Sequence, residues 1–258
     1  MNEAYGTHLA MCYDTLNSDI DYAAWADFYR AAFEKYAPSL AVKHICEMAC
    51  GSGSLSLELA KRGCTVTAFD LSEDMLVIAD KKARDAGIDT VRFTLQDMRS
   101  FGVYTKADAC ICMLDSLNCL SDISGVAEAF SHAFGALNDG GIFIFDVNSR
   151  HKFETVYADN AYVLEDEHVL LAWQNFYHAS TKKCELYLTF FCEDEDGRYT
   201  RFDEEMRQRM YTVRSLKKQL ADAGFALLDI VSGFDFAPAD ENTDDRLFFI
   251  CRKADEEL

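Results

Sequence analysis

Apolar positions recur along this chain in two rhythms. From residue 44 to residue 148, short apolar runs alternate with stretches whose apolar residues return every three or four positions. The runs His44–Ala49, Thr65–Phe69, Val91–Leu95, Ala107–Leu114 and Ile142–Val147 have the length and character of strands. Between them, Ser54–Arg62 reads as a helix stopped at Gly63. Ser72 is placed to cap a second helix, with Glu73 and Asp74 in its first turn and an end near Gly87. Ile123, Val126, Ala127, Phe130, Phe134 and Leu137 share one helical face, and Asn138-Asp139-Gly140-Gly141 closes that helix. Upstream, Asp21–Tyr36 predicts a helix that ends before Pro38.

Strands at this spacing, joined by helices, imply βαβ units and a parallel sheet covered on both faces. After Asn148 the period drops to two. Leu186, Leu188, Phe190 and Cys192 alternate with Glu185, Tyr187, Thr189 and Phe191, and Asp196-Gly197 supplies a hairpin turn. Phe202, Glu204, Met206, Gln208 and Met210 then alternate with Arg201, Asp203, Glu205, Arg207 and Arg209. This pattern means antiparallel strands. From Thr212 the first rhythm resumes, with a helix to Gly224 and strands at Phe225–Val231 and Arg246–Arg252. The expected division is an α/β domain of residues 1–149 plus 213–258, and an antiparallel lobe of residues 150–212.

Composition narrows the partners. The chain has 258 residues, room for one elaborated domain with a small lobe, and half of them are hydrophobic. Lys and Arg number 25 against 44 Asp and Glu, a formal charge of −19. Gripping a nucleic-acid backbone or an anionic membrane needs a surplus of Lys and Arg, so neither is an expected partner. The ten cysteines form no CxxC pair, and the six histidines show no ligand spacing, so no metal is expected. The cysteines read as small buried hydrophobes. The start, Met1-Asn2-Glu3-Ala4-Tyr5-Gly6, has neither the basic nor the apolar part of a signal peptide. No apolar run approaches the roughly 18 residues of a membrane span. Reduced thiols without an export signal point to the cytoplasm.

The first strand runs into Cys50-Gly51-Ser52-Gly53-Ser54 and then a helix. Such a turn lets a ligand approach the backbone at a helix N-terminus. Asp70 ends the second strand, where a carboxylate can accept from the hydroxyls of a ribose. The dinucleotide fingerprint is incomplete, because Ser56 stands where its third Gly belongs. No phosphate-binding P-loop pattern occurs.

The motifs resemble, in order, those of class I S-adenosylmethionine-dependent methyltransferases. Glu47-x-Ala49-x-Gly51-x-Gly53 is similar to that family's acid-x-Gly-x-Gly-x-Gly motif, with Ala49 for the first Gly. Val66–Ser72 resembles its second motif, Gln96-Asp97-Met98 its third, Ala107–Ser116 its fourth, and Gly140–Asp146 the entry to its fifth strand. Tyr13-Asp14, Tyr22-x2-Trp25-Ala26-Asp27-Phe28, Asp115-Ser116-Leu117-Asn118, Phe145–Asn148 and Arg207-Gln208-Arg209-x-Tyr211 extend the likeness to a bacterial subgroup of small acidic methyltransferases. Members of that subgroup often carry a His near Met206. None stands here, so no His is carried over as a base.

The resemblance implies a Rossmann-like, doubly wound, mostly parallel seven-stranded sheet with the antiparallel insertion above it. It implies S-adenosylmethionine as cofactor and S-adenosylhomocysteine as product but little about the acceptor; the acidic charge and the absence of an Asp/Asn-Pro-Pro-Tyr motif disfavour nucleic acid, so a small-molecule acceptor is expected. Gly51 and Gly53 would let the backbone pass under the methionine part of the cofactor, with Ala49 in the same turn and Glu47 bracing it. Asp70 would hold the ribose, and Leu71 and Met98 would sandwich the adenine. Asp97 would accept the adenine amino group, with Gln96 and Met75 in the same site. Met113 would lie near the methyl donor, and Tyr13 would close over it with its ring toward the sulfonium.

For the acceptor, Asp115, Asn118 and Arg207 are the candidate catalytic residues, with Asn148 and Gln208 beside them. Asp115 could orient or deprotonate the acceptor, or cap its turn. Arg207 and Arg209 could grip an acidic substrate, or pair with Asp203 and Glu205. His151 alone among the histidines falls near the expected cleft. Two other readings stand beside this one: a nicotinamide-dependent oxidoreductase, which Ser56 and the lack of a Tyr-x3-Lys pair weaken, and a binding module without chemistry.

Overall fold

Asp21 accepts a hydrogen bond from the Ala24 amide and starts helix α1, Tyr22–Tyr36, which buries Trp25, Phe28, Tyr29 and Phe33. The structure is a computed structural model that describes residues 10, 13–15, 17–166, 168–194 and 196–254. After α1 come β1 (His44–Met48), α2 (Ser54–Lys61), β2 (Thr65–Asp70), α3 (Glu73–Asp85), β3 (Val91–Leu95) and β4 (Ala107–Cys112). A 3-10 turn, Ser116–Cys119, leads to α4 (Ile123–Ala136) and β5 (Leu137–Asn148). A π-helical turn, Lys152–Tyr157, precedes β6 (Ala161–Asp166), β7 (Val169–His178), β8 (Lys183–Glu193) and β9 (Tyr199–Arg209). The chain closes with α5 (Val213–Asp222), β10 (Phe225–Val231) and β11 (Arg246–Lys253).

Seven strands form one sheet in the order β10-β11-β5-β4-β1-β2-β3, with β11 antiparallel to both neighbours and the other pairings parallel. Its two faces bury separate clusters. Ile45, Val66, Ile111, Ile144 and Ile250 pack under α1, α2 and α3, while Met48, Phe69, Cys112, Phe145 and Phe249 pack under α4 and α5. β1 pairs with β2 on one side and β4 on the other, so successive crossovers leave it in opposite directions. That divergence opens a crevice at the carboxyl ends of the strands.

The lobe is a four-stranded antiparallel sheet, β6-β7-β8-β9. Pairing of β8 with β9 places Leu186 opposite Met206 and Cys184 opposite Gln208, as the alternation requires. β6 and β7 did not stand out in the sequence. On β7 the inward Val169, Leu171 and Trp173 alternate with outward Leu170, Ala172 and Phe176. With both faces apolar, the period of two disappears.

Two boundaries differ from expectation. α4 ends at Ala136, and Asn138–Gly141 enters β5 instead of forming a separate stop. There is no room for a side chain on Gly141, whose Cβ would stand 2.7 Å from the Asn138 carbonyl oxygen. β4 ends at Cys112, short of Leu114, because Leu114 and Asp115 adopt φ of 52° and 51°. No helix among the described residues is long and apolar enough to cross a membrane. The nine described cysteines are free thiols, and six of them are buried.

Candidate functional site

The turn after β1 is left-handed at Ala49 (φ 53°), Gly51 (53°) and Gly53 (74°). Gly has no steric objection to this region, whereas Ala loses roughly 1–2 kcal/mol there. Gly53 also admits no side chain, since a Cβ would stand 2.8 Å from the Phe93 ring and 2.9 Å from the Ala79 Cβ. Gly53→Ala is therefore expected to cost roughly 2–4 kcal/mol, from strain and overpacking together. Urea denaturation measures this, and an unchanged midpoint would show that the turn adapts.

Glu47 and Asp70 brace this turn. Glu47 is fully buried beneath it and accepts from the Ser56 hydroxyl of α2. Its other oxygen, Oε1, has no hydrogen-bond partner. Burial pushes its pKa from 4.5 up to about 8, against the pull of Ser56. Ser56 thus ties Glu47 to the helix at the position where a dinucleotide site would need its third Gly. Asp70 accepts from the Gly51 amide at 2.8 Å and the Ser72 amide at 2.9 Å. Burial raises its pKa too, and those amides oppose the rise.

The remaining expected cofactor residues are placed unevenly. Leu71 is 62% exposed beside Asp70, and Met98 is partly buried against the core. Asp97 accepts from the Arg99 guanidinium on both oxygens, and that bond holds its carboxyl below the usual range. Gln96 bonds Thr94 and the Gly102 amide, which shapes the loop after β3. Met75 is buried on the inner side of α3, 1% exposed, so it packs rather than opens onto the crevice.

Tyr13 lies across the turn, its Cε1 3.8 Å from where a Gly51 Cβ would be. Asp14 anchors this segment by accepting from Ser52 at 2.5 Å and Lys82 at 2.8 Å, and Lys82 also bonds Ser54 at 2.6 Å. Tyr13, Tyr22, Ala49, Gly51, Met113 and Leu114 line what is left of the crevice, a cavity of about 20 Å³.

Past Met113 the site becomes polar. The paired left-handed residues Leu114 and Asp115 are a costly conformation, and such strain gathers at functional sites. It is held by Asp146, whose Oδ2 accepts from the Asp115 amide at 2.9 Å, and by the Ser116 hydroxyl bonded to the Met113 carbonyl at 2.8 Å. Arg246, at the start of β11, joins the carboxylates of Asp146 and Asp115, the latter at 3.0 Å. Burial works against the Arg246 charge, but Asp146 and Asp115 outweigh it and hold its pKa above the usual value. Burial raises the Asp146 pKa, and Arg246 opposes that. The Gln208 amide of β9 donates to Asp115 at 2.7 Å, and Asn148 donates to both Gln208 at 3.2 Å and the Tyr157 hydroxyl at 3.1 Å.

Two of the three candidate catalytic residues do not reach this space. Arg207 points to the outer face of the lobe and pairs with Glu205 at 2.6 Å, because neighbours on a strand face opposite ways. Arg209 donates to the Ser121 carbonyl at 3.4 Å. Asn118 is buried with both ends of its amide taken up by backbone, accepting from Asn148 and donating to Arg209. It braces the lobe rather than facing the crevice. His151 lies 3.8 Å from Asp245 and bonds Thr155. Asp146 lay inside two of the motifs without a role assigned to it, and Arg246 and Tyr157 had no signal in the sequence beyond a charged or aromatic residue at a strand or turn end.

Known proteins resemble this chain over nearly its whole length. Residues 45–141 match the family model described as a methyltransferase domain. The Putative methyltransferase of Geobacillus sp. (strain WCH70) is 36% identical over 245 residues, covering 95% of this chain and 98% of its own. A crystal structure of an S-adenosylmethionine-dependent methyltransferase from Clostridium acetobutylicum superposes with a TM-score of 0.86 at 29% identity, covering 96% of this chain and 98% of its own. The sugar N-methyltransferase KedS8 from Streptoalloteichus shares the fold, with a TM-score of 0.77 at 20% identity and coverage of 99% and 98%. Likeness sustained over nearly the whole length places this chain in the class I S-adenosylmethionine-dependent methyltransferases.

Proposed function

We propose that this methyltransferase acts on a small molecule held between the carboxyl ends of β4 and β5 and the antiparallel lobe. One observation carries the reading: Gln208 of the lobe donates directly to Asp115 at the end of the strained turn after β4. The lobe is thereby fastened over the strand ends, and Asn118 and Asn148 add two further ties. A lobe tied down at these points covers the strand ends, an arrangement that suits a metabolite better than a polymer. KedS8, with the same two-part fold, is named for action on a sugar. On this reading residues 1–149 plus 213–258 hold the cofactor, and residues 150–212 choose the acceptor.

The residues fit the cofactor. The unpartnered Glu47 Oε1 lies beneath the turn, and Asp70 keeps acceptor capacity beyond its two amide bonds. The exposed Leu71 offers an apolar face beside it. S-adenosylmethionine supplies the methyl group as a sulfonium that is already an activated electrophile. In this assignment Gly51 and Gly53 admit the methionine part, Asp70 holds the ribose, and Leu71, Asp97 and Met98 border the adenine. Gln96 shapes that border from behind. A pocket for such a ligand measures about 300–1,000 Å³. Movement of Tyr13, which lines this crevice beside Gly51, would widen it for the cofactor. Asp115, with both oxygens bonded to Arg246 and Gln208, orients the acceptor rather than taking its proton. Alignment of the attacking atom is the main contribution asked of the protein.

Asp70→Ala should weaken S-adenosylmethionine binding by roughly 1–3 kcal/mol, the scale of a lost hydrogen bond to a charged group. Calorimetric titration reads this, and unchanged affinity would refute the ribose role. Formation of S-adenosylhomocysteine with metabolite, RNA and protein fractions tests the acceptor class. Turnover with metabolites is expected, and turnover with RNA or protein alone would overturn the reading.

A further inference from the structure

Lys152 opens the π-helical turn directly after β5, at the rim where the lobe meets the strand ends. Its amide is bonded to the Ser149 hydroxyl at 3.1 Å, which fixes the turn. The side chain is half-buried, and its ammonium stands 5.3 Å from the centre of the Tyr157 ring. Tyr157 in turn bonds Asn148, which bonds Gln208, which bonds Asp115. Lys152 thus belongs to the polar wall of the proposed acceptor space, linked to Asp115 through Tyr157, Asn148 and Gln208.

Among the described residues no carboxylate lies within ion-pair distance of this ammonium, although it is desolvated against the Tyr157 ring. The charges that act on Lys152 are Asp115, Arg246, Asp245 and Asp146. Asp115 and Asp146 already share Arg246, and Asp115 also takes the Gln208 amide. Asp245 stands nearest His151. Burial depresses the Lys152 pKa and Asp115 partly restores it, as expected for a desolvated ammonium that lacks a close counter-ion. An aromatic face stabilises such a cation only modestly. An ammonium held in this way can take an anion without breaking an existing ion pair.

We propose that Lys152 and the Tyr157 ring beneath it form a subsite for an anionic group of the acceptor, a carboxylate or a phosphate, set apart from the atom that receives the methyl group. This rests on the acceptor site proposed above. The Tyr157 hydroxyl, fixed by Asn148, borders the same subsite. Asp115 stays near the methyl donor, where it faces the reacting end of the acceptor.

The test uses the full chain saturated with S-adenosylhomocysteine, titrated separately with acetate and with inorganic phosphate. Saturable binding of at least one anion is expected, at least tenfold weaker in Lys152→Met and largely restored in Lys152→Arg. The stronger anion tells carboxylate from phosphate. Absence of saturable binding by both, or equal binding to Lys152→Met, overturns the proposal. Affinity for S-adenosylhomocysteine should change less than twofold in Lys152→Met. If the wild type does not bind S-adenosylhomocysteine, the cofactor assignment has failed. If it binds while the anions do not, only the subsite has failed.

Discussion

Arg246→Met should destabilise the fold by about 3–5 kcal/mol, the cost of leaving buried carboxylates without their counter-ion. Arg246 bonds both Asp146, which is fully buried, and Asp115, in the strained turn after β4. Removing the guanidinium strands two negative charges at once and frees the turn that Asp115 ends. The guanidinium also stands 5.7 Å from the Trp25 ring, so contact with α1 is lost too. Replacing Asp146 as well, in Arg246→Met/Asp146→Asn, should recover part of the loss, since one unpaired charge is then gone. Urea denaturation of the two variants gives the comparison. Equal losses would mean that packing against Trp25, rather than charge, sets the cost.

The second large effect is a pH dependence. With its pKa raised from 4.5 to about 8, Glu47 keeps a proton in the folded chain that the unfolded chain has released. The stability it contributes is complete below pH 4.5 and is lost as pH rises through 8. At 1.36 kcal/mol per pH unit this comes to about 4–5 kcal/mol. Carboxylates with lowered pKa, such as Asp97 and Asp122, push the opposite way at acid pH, so the wild-type curve mixes both trends. The informative quantity is the difference between wild type and Glu47→Gln. Melting temperatures at pH 5 and pH 8 should lie closer together for the variant than for the wild type: wild type loses stability over this range, and Glu47→Gln loses much less. Parallel losses in the two proteins would rule out Glu47 as the source.

Much of the cofactor side was legible in residue order, because its parts are local. The Gly51–Gly53 turn, the strand end at Asp70 and the cap at Ser72 each sit within a few residues of the element they terminate. Ser72 does accept from the Met75 amide, and Thr212 caps the last helix through the Ser215 amide. The lobe was legible where one face is polar, as on β8 and β9, and illegible at β7, where both faces are apolar. For Arg207 the sequence left two readings open, and strand parity selects the ion pair with Glu205 over a place facing Asp115. Gln208, one residue on, is the residue that faces Asp115.

By itself, the sequence determined the alternation of strands and helices, the Gly turn between β1 and α2, and the family to which those motifs belong. These depend on periodicity and on backbone conformations that few residue types accept. Only the tertiary structure brought Arg246, Asp146 and Lys152 to Asp115 and Gln208, at the acceptor space proposed here. Asp115, Asp146, Lys152, Gln208 and Arg246 come from five separate segments, and Arg246 lies 131 residues from Asp115. Nothing local distinguishes Lys152 or Arg246 from surface charges. Their roles arise when β11 inserts antiparallel beside β5 and the lobe folds back over the strand ends, so that burial makes each charge depend on the others.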